Sequence, residues 1–439
     1  MRDFAKSPLR MGLAMCAALL VSVSACDRNT ILEVIDPDLV TPDNVTGEKG
    51  AELFWAGALG RFAQAYSGNG GGMIMYSGML ADEFHLSGTF PTRNEIDRRE
   101  ILVQNGTMLG QYRRFHRARV AAENATDILE EFLPGDPRIA EMYSLAGYTY
   151  IFFGENYCSG VPYGDTPGDG EPENGVQTTT AETFGRAIDR FNSASAATAG
   201  DMDQDFLARI GRARVLLNQG NFAAAAGEVA GIPSDWEYFV RHKDGGDTSQ
   251  RNAVYDLNQN QRRWSVSDQE GGNGIAFRDT DPRTPWEESG FGFDENTVLY
   301  HQLKYPRWED DVPLANGTEA RLIEAEAQYQ AADPTGMFTT LNTLRTDAGM
   351  AALTDPGTGP EQEDILFEER ARWLFATAHR LGDMRRLIRQ YGRNSETVFP
   401  TGPYFKGGAY GPDVNFPISF EETENPNVDA APICLDRNP

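Results

Sequence analysis

The stretch Glu361–Tyr391, EQEDILFEERARWLFATAHRLGDMRRLIRQY, decides the reading of the fold. Phe367, Ala371, Leu374, Ala378, Leu381, Met384, Ile388 and Tyr391 recur in steps of three or four, which sets them on one stripe of an α-helix. A stripe of that length must be buried against something. Glu361, Glu363 and Asp364 stand in the first turn and Arg385, Arg386 and Arg389 near the last, each sign where the helix dipole favours it, and Gly392 is placed to end the helix. The pattern predicts one long helix, with Gly382 as the place for a kink.

The polar residues of the same stretch, Glu369-Arg370, then His379-Arg380, then Asp383-Met384-Arg385-Arg386, resemble the C-terminal signature of the SusD/RagB family of nutrient-binding outer-membrane lipoproteins. That family has Glu-Gly just before His-Arg, whereas Thr377 and Ala378 stand there in this chain, without the backbone freedom of glycine. Glu369 and Arg380 are eleven residues apart, about three helical turns, so on one helix both would face the same neighbour. The physical reading of these charges is structural ion pairs in a helix interface.

At the other end, Arg2, Lys6 and Arg10 precede an apolar run from Met11 to Val23, and Ser24-Ala25-Cys26 follows. This reads as a signal peptide over residues 1–25, too short for a membrane-spanning helix, and the residues before Cys26 match a bacterial lipobox. Cys26 is the expected lipidated residue, and residues 26–46, with Pro37 and Pro42, the tether. Asp27 leaves open which membrane holds it. Removing residues 1–25 takes away Arg2, Lys6, Arg10 and Asp3, a net +2, and moves the formal charge from −26 to −28. Such a surface repels phosphate backbones, which argues against nucleic acid as a partner. Of four cysteines, Cys16 leaves with the signal and Cys26 takes the lipid; Cys158 and Cys434 remain in an oxidising compartment and are expected to pair.

The body, residues 47–439, should be mainly α. Ala51, Trp55, Ala58, Phe62 and Ala65 make a first helical stripe. A longer one runs from Met108 to Phe132 and stops at Pro134-Gly135, and another, from Ile139 to Phe153, returns antiparallel after a short connection. Thr179 with Glu182 forms a capping box that opens a helix. Phe206–Ala230 and Asn316–Thr346 each read as helix, turn, helix with small alanines at the contact face, the plan of a tetratricopeptide hairpin. The aromatic helix end at Phe153–Pro162, the run Glu319–Ala327, Leu341–Arg345 and the closing Asn415-Phe416-Pro417-Ile418 are also similar to the family. The fold expected is therefore a SusD-like α/α superhelix of hairpins, over about 47–231 and 316–391, with an irregular loop-rich lobe over about 232–315 and a tail over 392–439.

Helical periodicity fails between Ile232 and Asp311, and four of the six tryptophans, Trp236, Trp264, Trp286 and Trp308, lie there. Ala81–Glu100 also lacks a sustained period and reads as a surface loop. Aromatic residues on loops suit sugar rings, whose C–H faces stack on them while hydroxyls meet polar neighbours. The candidate ligand-binding residues are thus Phe84, Phe90, Arg93, Trp264, Asp279, Arg283 and Trp286, on two loops expected to face each other across a cleft. The competing reading makes the tryptophans the core of the small lobe.

No catalytic, metal or cofactor motif stands out. The five histidines include no i, i+4 pair, and no H-E-x-x-H, C-x-x-C, G-x-S-x-G or Walker loop appears. The resemblance implies a surface-facing lipoprotein of the outer membrane, not an enzyme, that binds a nutrient such as an oligosaccharide and hands it to a SusC-like TonB-dependent transporter. The alternative is a periplasm-facing tetratricopeptide scaffold that binds proteins.

Overall fold

Small residues let the helices approach one another, and the approach builds a superhelix. The computed structural model describes residues 47–68, 70–165, 173–245, 248–429 and 433–438, so the expected signal peptide, Cys26 and the expected tether lie outside the described residues. Helices α1 (Gly47–Tyr66), α2 (Gly72–Leu80), α3 (Pro91–Asp97), α4 (Gly106–Phe132), α5 (Arg138–Asn156), α6 (Thr180–Ala196), α7 (Met202–Asn218), α8 (Phe222–Val229), α9 (Gly317–Gln330), α10 (Pro334–Asp347), α11 (Gly359–Trp373) and α12 (Arg380–Arg389) carry the body. Packing runs α1 on α4, α4 on α5, and then successively through α6, α7, α8 and α9 to α10. Tyr143 Oη donates to Glu130 at 2.9 Å and Tyr150 Oη to Glu123 at 3.0 Å, a pairing that descends one helix as it climbs the other, so α4 and α5 are antiparallel. The Phe191 ring of α6 lies where a Cβ at Gly147 or Gly211 would stand, at 2.8 and 2.2 Å, so only glycine at both sites admits it. Thr179 and Glu182 cap α6 reciprocally, as the sequence predicts.

The strands come in four antiparallel pairs among the described residues: β1 (Phe84–Leu86) with β5 (Trp264–Val266), β2 (Val161–Pro162) with β3 (Gln177–Thr178), β4 (Glu237–Val240) with β8 (Val312–Asn316), and β6 (Trp286–Phe291) with β7 (Val298–Gln302). Two expectations are corrected here. Ala81–Glu100 is not a surface loop: Phe84, His85 and Leu86 are a buried strand, and Pro91 at the first turn starts α3. Nor do the two loops face each other across a cleft, because Phe84 pairs with Val266 and Leu86 with Trp264 in one ladder. Cys158 and Cys434 are joined, with S–S 2.03 Å, and fix the tail near the end of α5.

The long C-terminal helix is corrected too. It breaks between α11 and α12, where Ala376 and Ala378 take left-handed backbone at φ 54° and 59°, and Gly382 stays inside regular helix. The freed backbone groups find partners from distant elements. Glu83 accepts from Ala376 N at 2.9 Å, Lys304 Nζ donates to Phe375 O at 2.7 Å, Tyr66 Oη to Thr377 O at 3.1 Å and Arg214 to Ala378 O at 3.1 Å. Ala378 thus adopts the conformation that glycine would take most easily.

Around this break the signature charges are buried and paired. Arg380 holds Asp82 through two bonds of 2.7 Å, Arg386 bridges Glu326 and Asp383, and Arg385 donates to the terminal carbonyls of α5, Gly154 at 3.1 Å and Glu155 at 2.5 Å. Glu369 instead takes Arg283 and Arg345, so Glu369 and Arg380 serve different neighbours and the single-helix expectation for that pair fails. Arg214 grips Glu155, and His379 Nε2 lies 2.7 Å from Arg214 and 3.0 Å from Glu319. Most of these pairs tie elements far apart in sequence, Arg386 with Asp383 inside α12 being the local one, and a buried charge is stable only with such a partner.

Candidate functional site: a ladder of aromatic rings and arginines

The β1–β5 ladder places Trp264 beside the start of α3, and from there an alternating series runs outward. The Arg93 guanidinium carbon lies 4.6 Å from the centre of the Trp264 ring and 4.5 Å from that of Phe90. Arg263 lies 4.6 Å from Phe90 and 3.8 Å from Phe293. Cation and ring alternate in the order Trp264, Arg93, Phe90, Arg263, Phe293. The inner end is shut, since Trp264 is 0 % exposed, whereas Phe90 and Phe293 are each 44 % exposed.

Backbone hydrogen bonds hold the outer end in place. Ser87 N donates to Arg263 O at 3.0 Å, Phe293 N to Arg262 O at 2.7 Å and Asp294 N to Ser87 O at 3.1 Å. This approach needs Gly292, where a Cβ would come within 2.4 Å of Ser87. Phe405, exposed and set edge-on to His85 at 5.2 Å, extends the surface, and Lys406 beside it donates to Gly88 O at 2.9 Å and pairs with Asp294. Phe291, 56 % exposed, stands at the end of β6. Exposed rings interleaved with cations make this the candidate surface for a partner molecule.

Charge crowding in the ladder is felt at Arg263. Burial, and then the neighbouring Arg93, lower the pKa of Arg263 below its ordinary value. Arg93 Nη1 and Arg263 Nη1 are shielded from solvent without a hydrogen-bond partner among the described residues. Behind them, burial pushes the Asp97 carboxyl up to about 7, although it accepts from Leu86 N at 2.8 Å and from Tyr404 Oη at 2.7 Å.

Of the residues predicted from sequence, Phe90 and Arg93 stand in this surface. Phe84 and Trp264 are buried, Phe84 packing on Phe375 at 5.5 Å and Trp264 against Tyr76 at 6.0 Å, so neither side chain can touch a ligand; the core reading of Trp264 is the one that holds. Asp279, Arg283 and Trp286 gather elsewhere: Asp279 binds Arg372 at 2.8 Å, Arg283 binds Glu369 at 2.7 Å and Asp281 at 2.7 Å, and Trp286 Nε1 donates to Asp279 O at 2.7 Å. These bonds fasten the lobe to α11. Sequence reasoning does not reach Arg263, Phe293 or Phe405. The doublet Arg262-Arg263 before Trp264 is the one available signal, while nothing in the sequence distinguishes an exposed phenylalanine from a buried one.

A cavity of about 560 Å³ opens beside β4, lined among others by Trp55, Glu141, Trp236 and Tyr238. Several of its polar groups answer one another, with Glu141 accepting from Trp55 Nε1 at 2.6 Å and Tyr238 Oη at 2.8 Å and Asp203 from Trp236 Nε1 at 2.8 Å. No group of three or more His, Cys, Asp or Glu suited to a metal ion occurs among the described residues, and no helix there is long and apolar enough to cross a membrane.

Helical hairpins closed by a loop-rich lobe define a recognised class of proteins, and the chain has the SusD-like fold. A laminarin-binding SusD-like protein superposes with a TM-score of 0.64 at 12% identity, over 88% of this chain and 99% of that one. A SusD-like carbohydrate-binding protein from Bacteroides vulgatus ATCC 8482 gives 0.59 at 14% identity, over 77% and 83%. A SusD superfamily protein from Bacteroides thetaiotaomicron VPI-5482 gives 0.60 at 14% identity, over 87% and 98%. At these identities the likeness is one of fold. No protein-family model and no curated protein matches the sequence.

Proposed function

We propose that this protein is a lipid-anchored glycan-binding protein of the outer-membrane surface, which takes up an oligosaccharide on the surface of Phe90, Phe293 and Phe405 and hands it to a SusC-like TonB-dependent transporter. The exposed ladder carries this reading: Phe90 and Phe293 are held against the guanidiniums of Arg93 and Arg263, so the parts of the rings that remain exposed stand preorganised for packing against a sugar ring. Similarity of fold to proteins described as binding carbohydrate, one of them laminarin, supports it. The lipid would sit on Cys26, outside the described residues, and the transporter follows from the family resemblance.

Calorimetric titration with neutral and acidic oligosaccharides tests the binding reading. Binding that Phe90→Ala weakens by roughly 1 to 3 kcal/mol, the order for truncating an aromatic anchor, is the expected result. An unchanged affinity in folded Phe90→Ala moves the site off the ladder. For the anchor, Cys26→Ala should release the protein from membranes, and unchanged detergent partitioning would count against lipidation. For the partner, co-purification in detergent with a TonB-dependent transporter of the same cell is expected.

A further inference from the structure

The chain has 65 acidic and 39 basic residues, so an arginine that finds no carboxylate is the exception in need of a reason. Most buried arginines around the break have a carboxylate: Arg370 and Arg386 share Asp383, Arg380 has Asp82 and Arg214 has Glu155, while Arg385 is held by the carbonyls of Gly154 and Glu155. On the ladder this rule is broken. Arg93, Arg262 and Arg263 form no ion pair among the described residues, although Lys406 beside them has Asp294 and nearby Arg278 has Glu270. Nearby acids are directed elsewhere, Glu95 to Asn105 at 2.7 Å and Asp97 to Leu86 N and Tyr404. Arg262, exposed and in left-handed backbone at φ 56°, reaches the Phe291 carbonyl at 3.4 Å and no carboxylate among the described residues.

Two guanidiniums over one phenyl ring repel each other and lose hydration, and the fold retains that cost with no internal anion to offset it. A bound anion would relieve it, since guanidinium binds carboxylate or sulfate through paired, charge-assisted hydrogen bonds. The exposed parts of the Phe90 and Phe293 rings also give apolar contact to a sugar ring that bears such a group. We infer that the ligand is an acidic oligosaccharide, bearing carboxylate or sulfate groups that bind Arg93, Arg262 and Arg263 while its rings pack on Phe90 and Phe293. This inference rests on the glycan-binding reading and narrows it. The acidic character of the whole molecule does not oppose it at physiological salt, where charges beyond about 8 Å are screened and contacts are not.

The test compares short oligomers of one length, oligogalacturonate as the carboxylate probe, sulfated galactan as the sulfate probe and laminarin oligosaccharides as the neutral one, by calorimetry in about 0.15 M salt. At least one acidic probe should bind about tenfold or more tightly than the neutral one, and which of the two does so identifies the anion. Arg263→Gln and, separately, the exposed Arg262→Gln should each reduce that preference several-fold with an unchanged melting temperature. Equal affinity for acidic and neutral probes, or a preference that survives in both variants, overturns the inference and leaves glycan binding standing. Failure of every probe to bind overturns both. The comparison of probes on the unmodified protein needs no variant, so it decides the matter even where a variant fails to fold.

Discussion

Arg370 grips Asp383, thirteen residues further on, through two hydrogen bonds of 2.8 and 3.0 Å. In a continuous helix their Cα atoms would be separated by about 20 Å of rise, beyond the reach of the two side chains. The break at Ala376 and Ala378 folds α12 back and brings them together. Burial pushes the Asp383 carboxyl up, but the Arg370 and Arg386 guanidiniums outweigh it and hold the group well below the usual carboxylate range. Its stabilising contribution is therefore present above an ordinary aspartate pKa near ~4 and is lost as pH falls below it. Asp383→Asn should cost about 3 to 5 kcal/mol at neutral pH and about 1 kcal/mol less at pH 3, where the folded carboxyl is still charged but the unfolded one has begun to take up its proton, measured by urea unfolding at both. An equal cost at the two pH values would mean the charge is not what matters.

Asp97 runs the other way. Its pKa is raised to about 7 by burial, so the folded state keeps a proton that the unfolded chain gives up near ~4, and stability falls as pH rises through that interval. Asp97→Asn retains an oxygen to accept from Leu86 N and removes the titration. Relative to the parent, the variant should gain on the order of 1 kcal/mol or more between pH 5 and pH 8, since a tenfold difference in acidity between the folded and unfolded states is worth about 1.4 kcal/mol. Parallel stability curves for the two proteins would show that Asp97 is ionised in the fold.

Ala378 carries backbone that a β-branched side chain cannot adopt, and it is 1 % exposed. Ala378→Val should lose roughly 2 to 3 kcal/mol through strain and overpacking. Ala378→Gly relieves the left-handed cost of about 1 to 2 kcal/mol and loses a similar amount in chain entropy and a buried methyl, so it should stay within about 1 kcal/mol of the parent. Thermal melts of the pair check the difference, and a harmless valine would contradict the geometry of the break.

Trp264 and Trp286 should separate by role. Trp264→Ala removes a fully buried indole between Tyr76 and Arg93 and is expected to cost about 3 to 5 kcal/mol of stability. Trp286, half-buried and edge-on to Tyr300 at 5.6 Å, should cost far less. Denaturant unfolding followed by circular dichroism distinguishes them, and equal losses would argue against the core role of Trp264.

Reducing the Cys158–Cys434 bridge opens a loop closed across 276 residues. The chain-entropy model puts its worth at roughly 4 to 5 kcal/mol, reduced by any structure in the unfolded chain. The unfolding midpoint should drop in reductant, and in Cys158→Ala without it. Two titratable thiols in the unreduced, denatured protein would rule the bridge out.

The sequence alone determined the helical hairpins, because burying a stripe demands apolar residues at steps of three and four and the cap of α6 is written in two residues, Thr179 and Glu182. It also determined that the charges from Glu369 to Arg386 would be held in pairs, since so many ions on one stretch cannot be buried singly. It did not determine the break in that stretch. The apolar stripe runs through Leu374 and Ala378 without interruption, and the helix gives way only because Glu83, Lys304, Tyr66 and Arg214, all distant in sequence, take up the backbone groups it releases. The ladder lay equally out of reach. Phe90 and Arg93 are legible as aromatic and cation on a segment without a stripe, but Arg263 and Phe293 join them only through the pairing of β1 with β5 and the contact of Gly292 with Ser87. Local pattern records which side chains need burial or a partner; which partner they find depends on contacts across the whole chain, and those exist only once it has folded.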